Sequence, residues 1–171
     1  MLLKPAVDNH DHVQGNTTAD LIIVEFGDYQ CPHCGAAHPI IKEMMNKFGS
    51  QTKFVFRNFP LTEIHPLARP AALAAEAAAL QNRFWEMHDA IFEHQPFLAE
   101  NLLLQLAGKL QLNIDQFRKD IHQSALAAKV DGDFESGMRS GVNGTPSFFV
   151  NGKKFDGGAG DLFELLQSST E

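Results

Sequence analysis

A chain of 171 residues, 44% hydrophobic and 20% charged, is long enough for one domain with a full hydrophobic core and short for two. Its formal net charge of −7, with no stretch that concentrates Lys and Arg, argues against nucleic acid or an anionic membrane as the main partner. The longest apolar run, AALAAEAAAL at 71–80, is broken by Glu76 and is far too short to span a bilayer.

The N-terminal stretch MLLKPAVDNHDHVQGN has no apolar core of signal-peptide length and no small-residue cleavage site. The expected compartment is the cytoplasm, or the periplasm if a leader has been removed. The run LIIVEF at 21–26 is apolar and β-branched, as in a strand buried on both faces of a sheet. After a turn at GDYQ, the spacing predicts a helix from Cys31 to Phe48 with Ile40, Ile41, Met44, Met45 and Phe48 on its inner face. Pro39 is expected to kink that helix and Gly49 to stop it. KFVFRNF at 53–59 is a second strand, so strand, helix and strand imply parallel pairing with a right-handed crossover.

From Pro66 to about Arg139 the pattern is helical, with segments separated by Pro96, Asn113 and Ser124. Strand pattern then returns at SFFV (147–150) and KKF (153–155), joined by an Asn151-Gly152 hairpin turn, and DLFELLQSS closes as an amphipathic helix. The simplest packing is an α/β arrangement, a mixed sheet with helices on both faces. The helical block reads as an insertion whose two ends feed adjacent strands.

Both cysteines lie in CPHC, at Cys31 and Cys34, and two are too few for a disulfide scaffold. Cys31 falls at a helix N-terminus, where unpaired N–H groups and the helix dipole favour a thiolate, and His33 brings an imidazole close. Cys34, one turn in, is expected to be buried and poorly nucleophilic. One sulfur that attacks and one that resolves is what thiol–disulfide exchange requires. A zinc site would need Cys31, Cys34 and His38 with His10 or His12, but no second ligand pair at tight spacing is present, so no metal is assigned.

Glu25 is the only charge in its strand, six residues before Cys31. It either faces solvent or is buried with a raised pKa, poised to deprotonate Cys34 as a general base. The tripeptide GTP at 144–146 sets Pro146 directly before a strand, where it is either an ordinary loop proline or a cis one. NGKKFDGGAG at 151–160 is glycine-rich but lacks the GK[ST] of a phosphate loop. Phe84, Trp85 and Phe92 read as helical core, and His88, His94 and His122 as surface or capping residues.

These features, over residues 13 to 168, resemble the DsbA-like branch of the thioredoxin superfamily, bacterial thiol–disulfide oxidoreductases with CPHC or related sites. The resemblance implies a thioredoxin-like domain at 13–62 and 140–171 and an inserted helical domain at 63–139. It places Glu25 beneath the active site and makes Thr145-Pro146 the cis-proline pair that faces the disulfide and binds substrate backbone. Cys31 would attack, Cys34 resolve, Glu25 move the proton, and Pro32 and His33 set the potential, with no cofactor. The implied partners are protein or peptide thiols and disulfides and a redox partner, acting on a monomer. The competing readings are a glutathione-dependent isomerase or transferase of the same fold, which normally has Ser in place of the CxxC, and a zinc- or partner-binding module.

Overall fold

The apolar run at 21–26 becomes the central strand of a five-stranded sheet in the computed structural model, which describes residues 1–169. In chain order the elements are β1 (His12–Gly15), β2 (Leu21–Gly27), α1 (Pro32–Phe48), β3 (Thr52–Asn58), α2 (Ala68–Ala79), α3 (Phe84–Glu93), α4 (Glu100–Lys109), α5 (Ile114–Asp120), α6 (Ser124–Arg139), β4 (Ser147–Val150), β5 (Lys153–Phe155) and α7 (Ala159–Ser168). The sheet order is β1-β3-β2-β4-β5, with β2 and β3 parallel and the other pairs antiparallel.

Alternation along the strands divides the core in two. Ile23, Phe54, Phe56 and Phe148 join the larger cluster with α1, α7 and most of the helical block. Val24, Phe26, Val55 and Phe149 turn to the opposite face, against Val142 and Phe134 of α6. The sheet is therefore covered on both sides, and Phe148 and Phe149 are both core. The Asn151-Gly152 turn has φ of 47° and 78°, the left-handed pair that a two-residue hairpin demands.

Four local expectations change. The helical block leaves from β3 and returns into β4, which flank β2 without pairing to each other, so its ends are one strand apart. Gly49 is helical (φ −62°) and hands α1 on to a 3₁₀ turn at Gly49–Gln51 in place of a left-handed stop. Strand β1 has no strong pattern of its own and is fixed by its pairing along β3. His88 is 4% exposed, on the same stripe of α3 as Phe84 and Phe92, and so belongs to the core.

The alanines of α2 bring neighbouring elements close, and Glu76 is buried among them. Its carboxylate takes His12 Nε2 at 2.8 Å and Asn58 Nδ2 at 2.8 Å. Asn58 Nδ2 also donates to Asp133 at 3.0 Å, and Asp133 holds Lys129 at 2.6 Å. This chain of bonds ties β1, β3, α2 and α6 together. Replacing Glu76 with Leu strands the polar groups of His12 and Asn58, and the expected loss is about 2–4 kcal/mol in urea unfolding. Glu76→Gln, which keeps an oxygen for Asn58, is expected to lose less.

Candidate active site

The redox turn begins where β2 ends. Asp28 is buried, and its carboxylate accepts from four donors: Gln30 N (2.8 Å) and Cys31 N (3.1 Å) on Oδ1, Leu61 N (2.9 Å) and His65 Nδ1 (2.8 Å) on Oδ2. The first two bonds fold the chain back into an Asx turn and present Cys31 as the N-cap of α1. Pro32 occupies the first helical position, where its missing N–H costs nothing, and Gly35 N closes the first turn on the Cys31 carbonyl at 3.1 Å.

Both thiols are free and buried, Cys31 at 4% and Cys34 at 1% exposure, but their chemistry diverges. The Cys31 thiol is held down at about 5, chiefly by a hydrogen bond from Cys34, helped against burial by the Thr145 side chain and the backbone N–H groups of Cys34 and His33. The Cys34 thiol is driven far up by that same shared proton, by burial and by the charge of Glu25. The Cys31 sulfur lies 3.6 Å from the Thr145 carbonyl, and Asp28 N donates to the Cys34 sulfur at 3.4 Å. The Thr145–Pro146 bond is cis, and the buried Thr145 hydroxyl has no hydrogen-bond partner besides the Cys31 thiol.

Glu25 is 4% exposed, paired in register with Phe56 on one side and Phe148 on the other. Burial alone raises its carboxyl to about 8. The structure thus brings Glu25, Cys31, Cys34 and Thr145 together. Pro32 and His33 stand exposed at the rim, and a shallow groove beside them runs past Ala36, Ile40, Pro146 and Gly158. His33 reaches the sulfur through its backbone N–H, a different route from the imidazole expected.

The zinc set is not assembled. His10 is exposed on Asp8, and His12 is committed to Glu76 and stacked on Phe84. Among the described residues, His38, His88 and Asp89 come close enough to share an ion. Lys42 already sits 2.8 Å from Asp89 and 3.3 Å from Glu93, so that cluster carries its own cation.

Sequence reasoning missed four residues at the site: Asp28, Tyr29, His88 and Gln95. Asp28, three residues before a helix N-cap, has a readable Asx signature. Tyr29 and His88 form a buried pair, hydroxyl to Nδ1 at 2.9 Å, with burial pushing the imidazole down and the phenol up. The four-residue spacing of Phe84, His88 and Phe92 was the available signal.

Two outcomes follow from these shifts. In the reduced protein, iodoacetamide should modify Cys31 alone, with a rate midpoint near pH 5, while Cys34 stays protected; equal labelling of both thiols contradicts the assignment. Because the Glu25 carboxyl is raised from 4.5 to about 8, its stabilising effect is full below pH 4.5 and is lost as pH rises towards 8. Glu25→Gln does not ionise, so its melting temperature should gain on the parent protein steadily across that window.

Comparison with known proteins agrees with this geometry. The family model described as Thioredoxin matches residues 8–162. A thioredoxin-like oxidoreductase from Silicibacter pomeroyi DSS-3 superposes with a TM-score of 0.81 at 25% identity, covering 95% of this chain and 94% of that one. The thiol-disulfide exchange protein alpha-DsbA2 from Wolbachia pipientis gives 0.83 at 25% identity, covering 95% and 86%. A curated relative, the Na(+)/H(+) antiporter NhaA 3 of Salinispora tropica, is 42% identical over 156 residues, which is 91% of this chain and 24% of that protein. The chain thus spans about a quarter of the length of the curated relatives it matches. With a five-stranded sheet and seven helices among the described residues and a CxxC pair at the start of α1, the chain belongs to the thioredoxin family, and its structural neighbours are DsbA-like thiol–disulfide oxidoreductases.

Proposed function

We propose that this protein exchanges disulfides with protein or peptide substrates through Cys31 and Cys34, with Glu25 as the proton carrier. The observation that carries the reading is the split between two thiols one helical turn apart, one held at about 5 and the other driven far above its ordinary value. In the reducing direction the Cys31 thiolate attacks a substrate disulfide, forms a mixed disulfide and releases one substrate thiolate. Cys34 then gives its proton to Glu25 and attacks the Cys31 sulfur, closing the internal disulfide and releasing the second substrate thiolate. The oxidising direction is the exact reverse, and the ambient thiol poise selects between them.

Thr145, whose carbonyl lies beside the sulfur, and Pro146 in the adjoining groove would take the substrate backbone, while Pro32 and His33, exposed at the rim, would tune the potential. The division into 13–62 with 140–171 and an inserted 63–139, a monomeric state and a separate redox partner are part of the same proposal. Ion transport, named for the Salinispora relative, is that whole protein's; among the described residues here no helix is long and apolar enough to cross a membrane.

A thiol held at about 5 against an ordinary 9.0 favours the dithiol at pH 7. The effect is roughly 2.7 kcal/mol, or about 60 mV. The disulfide form should therefore unfold at lower denaturant than the dithiol form, and equilibration with glutathione should give a readily reduced pair. A disulfide form that proves the more stable of the two would overturn the reading. Thr145→Val removes the hydroxyl that helps hold the thiol down and should raise the Cys31 midpoint by up to ~1 unit.

A further inference from the structure

We propose that Gln95 is a positioning residue for the redox turn, holding the Cys31 carbonyl and with it the N–H groups that face the Cys31 sulfur. Gln95 lies in the short 3₁₀ turn Gln95–Phe97 between α3 and α4, more than sixty residues from the cysteines. Its Nε2 donates to the Tyr29 carbonyl at 2.9 Å and to the Cys31 carbonyl at 2.9 Å. Two carbonyl acceptors fix the amide's orientation, because the flipped form would set Oε1 against both oxygens.

The Cys31 carbonyl is also the acceptor for Gly35 N, the bond that closes the first turn of α1. Gln95 therefore grips the group on which the helix starts. The N–H groups of His33 and Cys34, which help hold the Cys31 thiol down, belong to that turn and take their direction from it. Gly35 completes the fit: a Cβ built there would collide with the Gln95 amide oxygen, so only glycine leaves the amide its place. An uncharged donor suits the position, since it steadies the carbonyl without adding a full charge beside the thiolate.

This inference rests on the exchange reading, and the test separates the two. Gln95→Met keeps the side chain's volume but cannot donate, and Gln95→Glu sets a carboxylate against the two carbonyls. For each, the pH profile of Cys31 alkylation and the equilibrium with glutathione are compared with the parent protein, with urea midpoints as the control for folding. Loss of the donor should raise the alkylation midpoint by about half to one unit, a roughly two- to fivefold loss of thiolate at pH 5, with Gln95→Glu the larger. At pH 7 the glutathione equilibrium should move towards the disulfide by roughly three- to tenfold. Gly35→Ala should shift the profile the same way in the parent protein and add little in a Gln95→Ala background, the non-additivity expected of two groups in contact. If the parent Cys31 itself titrates near 9, the exchange reading falls; if it titrates low and both folded Gln95 variants match it, only the role of Gln95 falls. Should one variant not fold, the other and Gly35→Ala carry the same comparison.

Discussion

The structure turns on the Asp28 carboxylate. All four of its hydrogen bonds run to backbone or ring N–H donors, two on the redox turn and two on the segment that leads from β3 into α2. A buried carboxylate without partners would be expensive; with four donors it becomes a fixed hinge-pin between the cysteines and the helical block. The position of Cys31 at the helix start follows from it, because the same bonds that satisfy Asp28 use up the Cys31 N–H and aim the remaining first-turn N–H groups at the sulfur.

The two buried glutamates show how company decides what a carboxylate does. Glu76 has His12 and Asn58 on its oxygens and serves as a joint between elements. Glu25, equally buried, makes no side-chain hydrogen bond or ion pair among the described residues, and burial alone raises its carboxyl to about 8. A buried carboxyl without partners, held near neutrality, can gain and lose a proton. The strand pattern already hinted at this, since a lone Glu between Val24 and Phe26 had to be either outward or functional. The alternation of the sheet makes outward impossible, because both faces are covered.

What the sequence made legible is what depends on near neighbours. β2, α1, β3 and the Asn151-Gly152 hairpin follow from local period and turn chemistry, and the CxxC declares itself by spacing. β1 was hidden because its four residues carry little pattern and owe their strand to β3. The reading of His88 as a surface residue failed because helical histidines are often exposed, and only the stripe it shares with Phe84 and Phe92 placed it in the core. Gln95 and the Asp28–His65 bond were out of reach: each joins residues far apart in sequence, and nothing in QPF or HPL marks a partner beside the cysteines.

The distribution of protons in the site also answers how a buried thiol becomes a nucleophile when the proposed exchange needs it. Cys34 is raised first by the hydrogen bond it gives to Cys31, and only then by burial and by Glu25. That first cause exists only while Cys31 is a free thiolate. Once Cys31 is bound in a mixed disulfide it carries no negative charge, and the bond that kept the proton on Cys34 loses most of its strength. The thiol of Cys34 then loses the largest cause of its rise, although burial and Glu25 still hold it up. The Glu25 carboxyl stands at about 8 and is largely ionised only above that value. Near neutrality a minority of Glu25 is ready to take the proton, and each turnover must wait for that minority or for a transient loss of its own proton. Rising pH should therefore speed resolution, in the proposed exchange, through the same window in which ionised Glu25 costs the fold stability, so the proposed base works against the fold that buries it.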